Sequence, residues 1–184
     1  ILIVKKETDK ILAFIEKNIS ILDAVIVSDY NKGVVSPELF RKIVKIAKEN
    51  NLTVTVDPKP AYCLQYKGAT VLTPNTNEAA LSLGMSITSD AELVQAGKKL
   101  LSRLKAKAVL ITRGEQGMTL FERNKKSVNI PTRAKEVYDV TGAGDTVVSV
   151  LSLALASGSD MLTASHIANF AAGIVVGKIG AASV

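Results

Sequence analysis

The run from Asp139 to Thr146, Asp-Val-Thr-Gly-Ala-Gly-Asp-Thr, contains the residue types best suited to chemistry. Its two glycines allow the backbone to turn tightly and to approach a ligand closely. An apolar stretch follows at once and predicts a helix. The N–H groups of Gly142, Ala143 and Gly144 are then expected at the positive end of the helix dipole, where anions bind. The run therefore predicts an anion-binding loop at a helix start.

Asp145 lies at the same helix end, where a carboxylate stays ionised and can accept a proton. Phosphoryl transfer to an alcohol needs this combination, because a base takes the hydroxyl proton while N–H groups stabilise charge on the transferring phosphate. The spacing alone leaves a second interpretation open, in which Asp145 is a simple acidic residue in a first helical turn. The run is not a P-loop, since no Gly-Lys-Thr/Ser follows, and Val147 replaces the last glycine of the dinucleotide-binding pattern.

Two further runs contain candidate ligand-binding residues. Asn75 and Glu78 follow a predicted strand, and an amide with a carboxylate near phosphate oxygens can organise Mg²⁺, mostly through water. The same two residues could instead cap a helix. Thr112, Gly114 and Gly117 form a turn that would let the backbone pass close to a nucleotide, or that is an ordinary hairpin turn.

Two lysines, Lys32 and Lys59, each follow a predicted strand. A lysine in such a position can bind phosphate as a point charge, or it can remain a solvated loop residue. The residue pattern leaves both interpretations open.

The elements that must position these residues alternate along the chain. Apolar and β-branched runs predict strands at residues 1–4, 23–28, 52–56, 70–72 and 108–112. The second of these is unbroken, which predicts a strand buried on both faces. Caps and Gly or Pro residues predict helices over residues 8–18, 37–49 and 77–83, and a capping box at residues 89–92 predicts another helix start.

The alternation of predicted strands and helices stops after residue 112. Residues 118–122 and 127–130 flank a polar turn and predict an antiparallel hairpin. Two helices are predicted to follow, over residues 143–156 and 160–178, the first ending at Gly158. Repeated strand–helix units predict an α/β fold with a mostly parallel sheet and helices on both faces. Ligands of such folds bind beyond the carboxyl ends of the strands, where the candidate residues stand.

Composition excludes several classes of protein. The 184 residues suit one domain, and 47% hydrophobic with 22% charged residues argue against disorder. No apolar run is long enough to span a membrane. Basic residues are scattered and aromatics make up 4%, which argues against nucleic-acid binding. Cys63 and His166 are the only residues of their types, so we expect no internal disulfide, no zinc site and a reducing compartment.

The run 139–146 closely resembles the second signature of the ribokinase-like (PfkB) carbohydrate kinases, whose core reads Asp-Thr-Gly-Ala-Gly-Asp. Val140 adds one residue to that core. Residues 75–78 resemble the family's Asn-x-x-Glu motif, and residues 112–117 resemble its Thr-x-Gly-x-x-Gly turn at the nucleotide. The resemblance implies that Asp145 is the catalytic base and that Gly142, Ala143 and Gly144 form the anion hole.

The resemblance also implies a fold and ligands. The fold would be a ribokinase-like three-layer sandwich with a mostly parallel central sheet, and the ligands would be ATP and Mg²⁺. The residues that would bind the nucleotide are Lys59, Asn75, Glu78, Thr112, Gly114, Gly117 and Asn169. Glu78 would organise the metal. Asp139 and Thr141 match part of the family's potassium-type cation site, which carbonyls near residues 178–180 would complete.

One subgroup of the family is similar from about Ala24 onward. Its members phosphorylate D-glycero-β-D-manno-heptose 7-phosphate at the anomeric hydroxyl, on the way to ADP-heptose and lipopolysaccharide. The runs that support this resemblance lie at residues 28–33, 57–59, 136–138 and 175–180. Lys59 or Lys32 would then bind the transferring phosphate or the sugar 7-phosphate. Ribose or fructose kinases, and a nucleotide-binding module without turnover, remain alternatives.

The family's N-terminal segment has no counterpart in this sequence. That segment supplies the first signature, much of the sugar pocket and a β-sheet lid that can form a dimer. We therefore expect residues 1–184 to be the C-terminal, nucleotide-binding portion of a kinase domain, with the N-terminal part and lid missing. The expected partners are a small phosphosugar and, in the complete protein, a second subunit. The expected location is the cytoplasm, with neither nucleic acid nor membrane as a partner.

Overall fold

Strands and helices alternate along the chain as the sequence predicts. The computed structural model describes residues 5–133 and 138–178, so the strand predicted at residues 1–4 lies outside the described part. The strands are β1 (Ala24–Ser28), β2 (Thr53–Asp57), β3 (Val71–Leu72), β4 (Ala108–Thr112), β5 (Met118–Glu122) and β6 (Val128–Ile130). The helices are α1 (Lys5–Lys17), α2 (Pro37–Glu49), α3 (Thr76–Leu83), α4 (Asp90–Leu104), α5 (Ala143–Ala156) and α6 (Met161–Val176). Short 3-10 helices cover Ile19–Ile21, Pro60–Gln65 and Gly114–Gln116.

The six strands form one sheet in the order β1-β2-β3-β4-β5-β6. Strands β1 to β4 are parallel, whereas β5 and β6 are antiparallel to their neighbours and form the predicted hairpin. The carboxyl ends of the four parallel strands therefore meet at one edge, the place where α/β sheets bind ligands.

Helix starts follow the cap residues that the sequence contains. Ser36 accepts the N–H of Leu39 at 3.1 Å and Pro37 opens α2. Capping boxes begin both α3 and α4. Gly84 ends α3 in the left-handed conformation, with φ 61°. These are local interactions, so the sequence predicts them well.

Helices cover both faces of the sheet, which gives the predicted three layers. One core lies beneath α2 and α4 and includes Phe40, Tyr66 and Leu100. The other lies beneath α5 and α6 and includes Leu110 and Leu151. None of the helices within the described ranges is long and apolar enough to cross a membrane.

Two local predictions are wrong. Helix α1 begins at Lys5 and not at Thr8. Strand β1 is not buried on both faces, because Ile26 is 44% exposed. In the described part of the sheet β1 lies at the edge, so Ile26 lacks the side chains of a second neighbouring strand.

Candidate active site

The predicted functional residues gather at the carboxyl edge of the parallel strands. Tyr30 follows β1, Asp57 ends β2 and Thr112 ends β4. Asn75 follows β3 and pairs with Thr112 through a parallel bridge. Asp145 reaches the same edge from the first turn of α5.

Asp145 is exposed to solvent and is contacted by a tyrosine from a distant part of the chain. The hydroxyl of Tyr30 lies 3.2 Å from Asp145 Oδ1 and 3.4 Å from Oδ2. Within residues 5–133 and 138–178, no other hydrogen bond to this carboxylate is found. An exposed, ionised carboxylate has unused lone pairs and can accept a proton from an alcohol.

Gly142 begins α5 with φ 79°, a conformation that L residues rarely adopt. Of the three N–H groups expected in the anion hole, that of Ala143 donates to the carbonyl of Val140 at 3.2 Å. A Cβ atom added to Gly142 or Gly144 would meet no atom within 4 Å outside the loop and its own helix. The helix start therefore faces open space, as an anion-binding site requires.

Lys59 lies among carboxylates and an aromatic ring. Its Nζ is 3.7 Å from Asp57 Oδ2, 3.8 Å from Glu78 Oε1 and 5.6 Å from the centroid of the Tyr30 ring. We call Tyr30, Asp57, Lys59, Glu78 and Asp145 the charged cluster. It joins the ends of two strands to the first turns of two helices.

Asp57 was not among the predicted site residues. Burial raises the pKa of its carboxyl from 3.8 to about 6, opposed by Lys59 and reinforced by the negative charges of Glu78 and Asp145. Such a shift is typical of functional sites, although ion-pair networks also produce it. The signal that could have identified Asp57 is its place at the carboxyl end of a buried strand, two residues before Lys59.

Glu78 serves two purposes at once. Its Oε2 accepts the N–H of Asn75 at 2.9 Å, while Asn75 Oδ1 accepts the N–H of Glu78 at 2.8 Å, which completes a capping box. The helix-cap interpretation is thus realised for both residues. The other oxygen, Oε1, faces Lys59.

The described residues contain no group of three or more His, Cys, Asp or Glu side chains that could hold a metal ion. Mg²⁺ nevertheless suits this site, because it keeps several waters and takes one or two protein carboxylates together with phosphate oxygens. The nearly buried carboxylate of Glu78 is the kind of ligand that such an ion uses.

A cleft with a volume of about 360 Å³ lies beside the start of α5. We call it the glycine-lined cleft. Its walls include six of the predicted residues, Thr112, Gly114, Gly117, Ala143, Gly144 and Asn169. The apolar side chains of Val140, Val147 and Val176 complete a surface on which a flat ring could pack. Two motifs that are distant in sequence thus form one pocket.

Only glycine fits the backbone at position 117, in the wall of the cleft. Its φ is 81°, and a Cβ atom at this position would lie 2.1 Å from the carbonyl oxygen of Ile130. Asn169 is buried and its Nδ2 donates to the carbonyl of Pro131 at 2.8 Å, so its amide ties α6 to the segment after β6. The side chain of Asn169 therefore has a structural partner as well as a place in the cleft wall.

The predicted cation residues form a tight turn. Asp139 Oδ1 accepts the N–H of Thr141 at 2.8 Å. This backbone bond, with one from the Thr141 hydroxyl, lowers the pKa of the Asp139 carboxyl below its ordinary value. The N–H of Asp139 also approaches the carbonyl of Val176, at 3.4 Å. The carbonyls expected at residues 179 and 180 lie outside the described part.

The remaining candidates lie outside both groups. Lys32 is exposed in the loop after β1, and among the described residues no contact joins it to the charged cluster. His166 is half-buried on α6. Of the two lysines that the sequence suggests, only Lys59 is brought to the site.

The sequence and the fold of this chain are similar to those of known proteins. The sequence matches the pfkB family of carbohydrate kinases over residues 4–184. It is 46% identical over 176 residues to the bifunctional protein HldE of Geobacter metallireducens, covering 96% of this chain and 36% of that one. It is 51% identical over 162 residues to HldE of Hahella chejuensis, with coverage of 88% and 33%. The chain thus spans about a third of the length of these relatives.

The fold is similar to that of a solved structure, phosphofructokinase-2 from Escherichia coli in complex with potassium. The TM-score is 0.83, and the match covers 97% of this chain and 58% of that one. The sequence identity is 17%, so this likeness shows the fold alone.

Proposed function

The chain belongs to the pfkB family of carbohydrate kinases, and from that premise we propose that it transfers phosphate from ATP to a sugar as part of a longer protein. The proposed acceptor is the anomeric hydroxyl of D-glycero-β-D-manno-heptose 7-phosphate, in the synthesis of ADP-heptose. One observation carries the proposal: the exposed carboxylate of Asp145 lies at an open helix start, where Ala143 and Gly144 line the glycine-lined cleft and Asp145 itself belongs to the charged cluster.

In this proposal the glycine-lined cleft holds the nucleotide. The backbone at Gly114 and Gly117 passes close to the ligand, and Asn169 forms part of the wall. The apolar residues of the cleft exclude water from a bound ring. The phosphates extend toward the start of α5, where Gly142 and Gly144 leave room for them.

Asp145 accepts the proton of the sugar hydroxyl as that oxygen attacks the terminal phosphorus, whose bond to the bridging oxygen breaks so that ADP leaves. Positioned general bases contribute roughly 10²–10⁴-fold to the rates of such reactions. The N–H groups at the start of α5 stabilise the charge that develops on the transferring phosphate. Base and anion site belong to the same helical turn, so their relative position is fixed by the backbone.

The charged cluster supports the phosphates. Glu78 would hold Mg²⁺ through water with Oε1, the oxygen that does not take part in the capping box. When bound, this ion neutralises phosphate charge. Lys59 would exchange one of its carboxylate contacts for a phosphate. Asp139 and Thr141 would hold a monovalent cation such as K⁺ behind the anion loop.

The heptose assignment is supported by residues 28–33 and 57–59, which resemble the heptose kinase subgroup, and by the similarity to HldE over most of this chain. We further propose that the chain is the C-terminal, nucleotide-binding portion of a kinase domain. The complete protein would be a cytoplasmic homodimer.

A competition assay with the complete protein tests the function. We expect ATP-dependent phosphorylation of D-glycero-β-D-manno-heptose 7-phosphate in clear preference to ribose or fructose. Equal use of ribose would overturn the heptose assignment and leave the kinase intact. ATP binding without transfer to any of the three sugars would overturn the catalytic proposal in favour of a nucleotide-binding module.

A further inference from the structure

We propose that Tyr30 is a positioning residue for Asp145, an inference that rests on the proposed function. Its hydroxyl holds the carboxylate of the base, and its ring lies against the ammonium of Lys59. Tyr30 stands 115 positions before Asp145 in the chain, so the contact joins the loop after β1 to the start of α5.

The hydrogen-bond geometry is suited to holding a base without blocking it. The Tyr30 hydroxyl lies nearly midway between the two carboxylate oxygens, at 3.2 and 3.4 Å. An ionised carboxylate offers about four lone-pair sites. One shared hydroxyl therefore orients the group and leaves sites open for the sugar hydroxyl.

The loop that carries Tyr30 is held by a buried neighbour. Asp29 is 4% exposed, and it accepts the N–H of Asn31 at 2.9 Å and the hydroxyl of Tyr66. The N–H of Asp29 also donates to the carbonyl of Asp57 at 3.2 Å. The loop is thus fixed by contacts that do not involve the Tyr30 side chain.

Core packing does not explain Tyr30 itself. Its side chain is 58% exposed, although tyrosine usually contributes by burying a large ring. The contacts found for it within the described ranges are to Asp145 and Lys59, both of them proposed site residues. The Lys59 ammonium lies 5.6 Å from the ring centroid, within the reach of a cation–π interaction.

The two parts of the side chain can be separated by mutation. Tyr30→Phe removes the hydroxyl and keeps the ring, whereas Tyr30→Leu removes both. In the complete protein we expect Tyr30→Phe to lower kcat roughly 10-fold, because a misplaced reacting group costs up to about 10²-fold. The KM values for ATP and phosphosugar should stay within about twofold. Tyr30→Leu should also raise the phosphosugar KM about two- to fivefold, as expected from losing an exposed cation–π contact.

The split between kcat and KM distinguishes positioning from a general structural effect. Tyr30→Phe should lower kcat while both KM values and the melting temperature stay near those of the wild type, because the base is misplaced and the binding surfaces are kept. An unchanged kcat, or a lower kcat accompanied by higher KM values and a lower melting temperature, would overturn the inference.

A double-mutant cycle tests whether Tyr30 acts through Asp145. Because the two residues would form one unit, Tyr30→Phe should have no further effect in an Asp145→Asn background. An equal loss in both backgrounds would overturn the positioning role and leave Asp145 as the base. Full turnover by Asp145→Asn alone would overturn the base itself, so failure of the proposed function is seen separately.

Discussion

The glycine-lined cleft and the charged cluster share the first turn of α5, yet they are built from different material. The cleft is formed largely by glycines and apolar residues, with a few polar residues such as Thr112 and Asn169 in its walls. The cluster consists of polar side chains that contact one another, with Lys59 between Asp57 and Glu78. Substitutions in the cleft should therefore lower ATP affinity or the free energy of unfolding. Substitutions in the cluster should lower the rate of phosphoryl transfer.

The shape of the cleft is set by backbone conformations that only glycine adopts easily. Movement of a single side chain cannot restore such a conformation once the glycine is replaced. The cluster is held by opposite charges, so removing one member leaves another partly buried and unpaired. The next four experiments test whether the two regions can be separated in this way.

Asp145→Asn should give the largest effect, a loss of roughly 10²–10⁴-fold in turnover of the complete protein, because the proton acceptor is removed. ATP affinity, measured by calorimetry, should hardly change because the cleft is intact. Asp23→Asn is the matched control: Asp23 is exposed just before β1, at the opposite end of that strand. If Asp145→Asn retained most of the turnover, Asp145 would not be the proton acceptor.

Gly117→Ala should show the converse behaviour. The positive φ and the approach of the Ile130 carbonyl make a Cβ atom costly, so we expect the free energy of unfolding to fall by at least about 2 kcal/mol. ATP affinity should fall with it. Gly114→Ala also has a positive φ but meets no atom within 4 Å, and should cost about 1 kcal/mol. Equal losses in the two variants would show that the close approach is unimportant.

The raised pKa of Asp57 predicts how stability depends on pH. The folded state holds the proton up to about pH 6, whereas the unfolded chain releases it near 3.8. The stabilisation is therefore present below 3.8 and is lost as the pH rises through 6. Urea unfolding between pH 4 and 7 should show a downward slope that is shallower in Asp57→Asn. Parallel slopes in the two proteins would contradict the assignment.

The two capping boxes offer the finest test, because they are the same motif in two settings. Glu78 of α3 is buried against Lys59, whereas Glu92 of α4 is only half-buried and its Oε2 accepts the N–H groups of Thr88 and Ser89 at 2.7 and 3.0 Å. Glu78→Gln should raise the Mg²⁺ midpoint of activity roughly 10-fold, as loss of an outer metal ligand does.

Glu92→Gln should leave that midpoint unchanged and lower the free energy of unfolding by about 0.5–1 kcal/mol, because only a cap is weakened. A Mg²⁺ titration at fixed ATP, together with thermal unfolding of both variants, makes the measurement. If Glu78→Gln lowered only the free energy of unfolding and left the Mg²⁺ midpoint unchanged, Glu78 would be a helix cap and nothing more.

Features of the fold and the site that depend on local signals could be predicted from the sequence, whereas features that depend on distant segments could not. The start of α2 at Ser36 and the end of α3 at Gly84 depend on residues within one helical turn, so they were predicted closely. The exposure of Ile26 depends on which strand lies next to β1, which no local pattern contains. Tyr30 was missed as a site residue for the same reason, since its partner Asp145 lies 115 positions away. Asp57 has Lys59 two residues away, but its burial and its approach to Glu78 and Asp145 arise only when distant segments meet.

The strand order has a consequence for the nascent chain. Each strand of the described sheet pairs with the next one in sequence, so the sheet can grow at one edge as the polypeptide leaves the ribosome. The contact between Tyr30 and Asp145 spans 115 positions and must wait for the start of α5. The scaffold can therefore assemble largely before the proposed catalytic carboxylate emerges, and the proposed site is completed only near the end of translation of this segment.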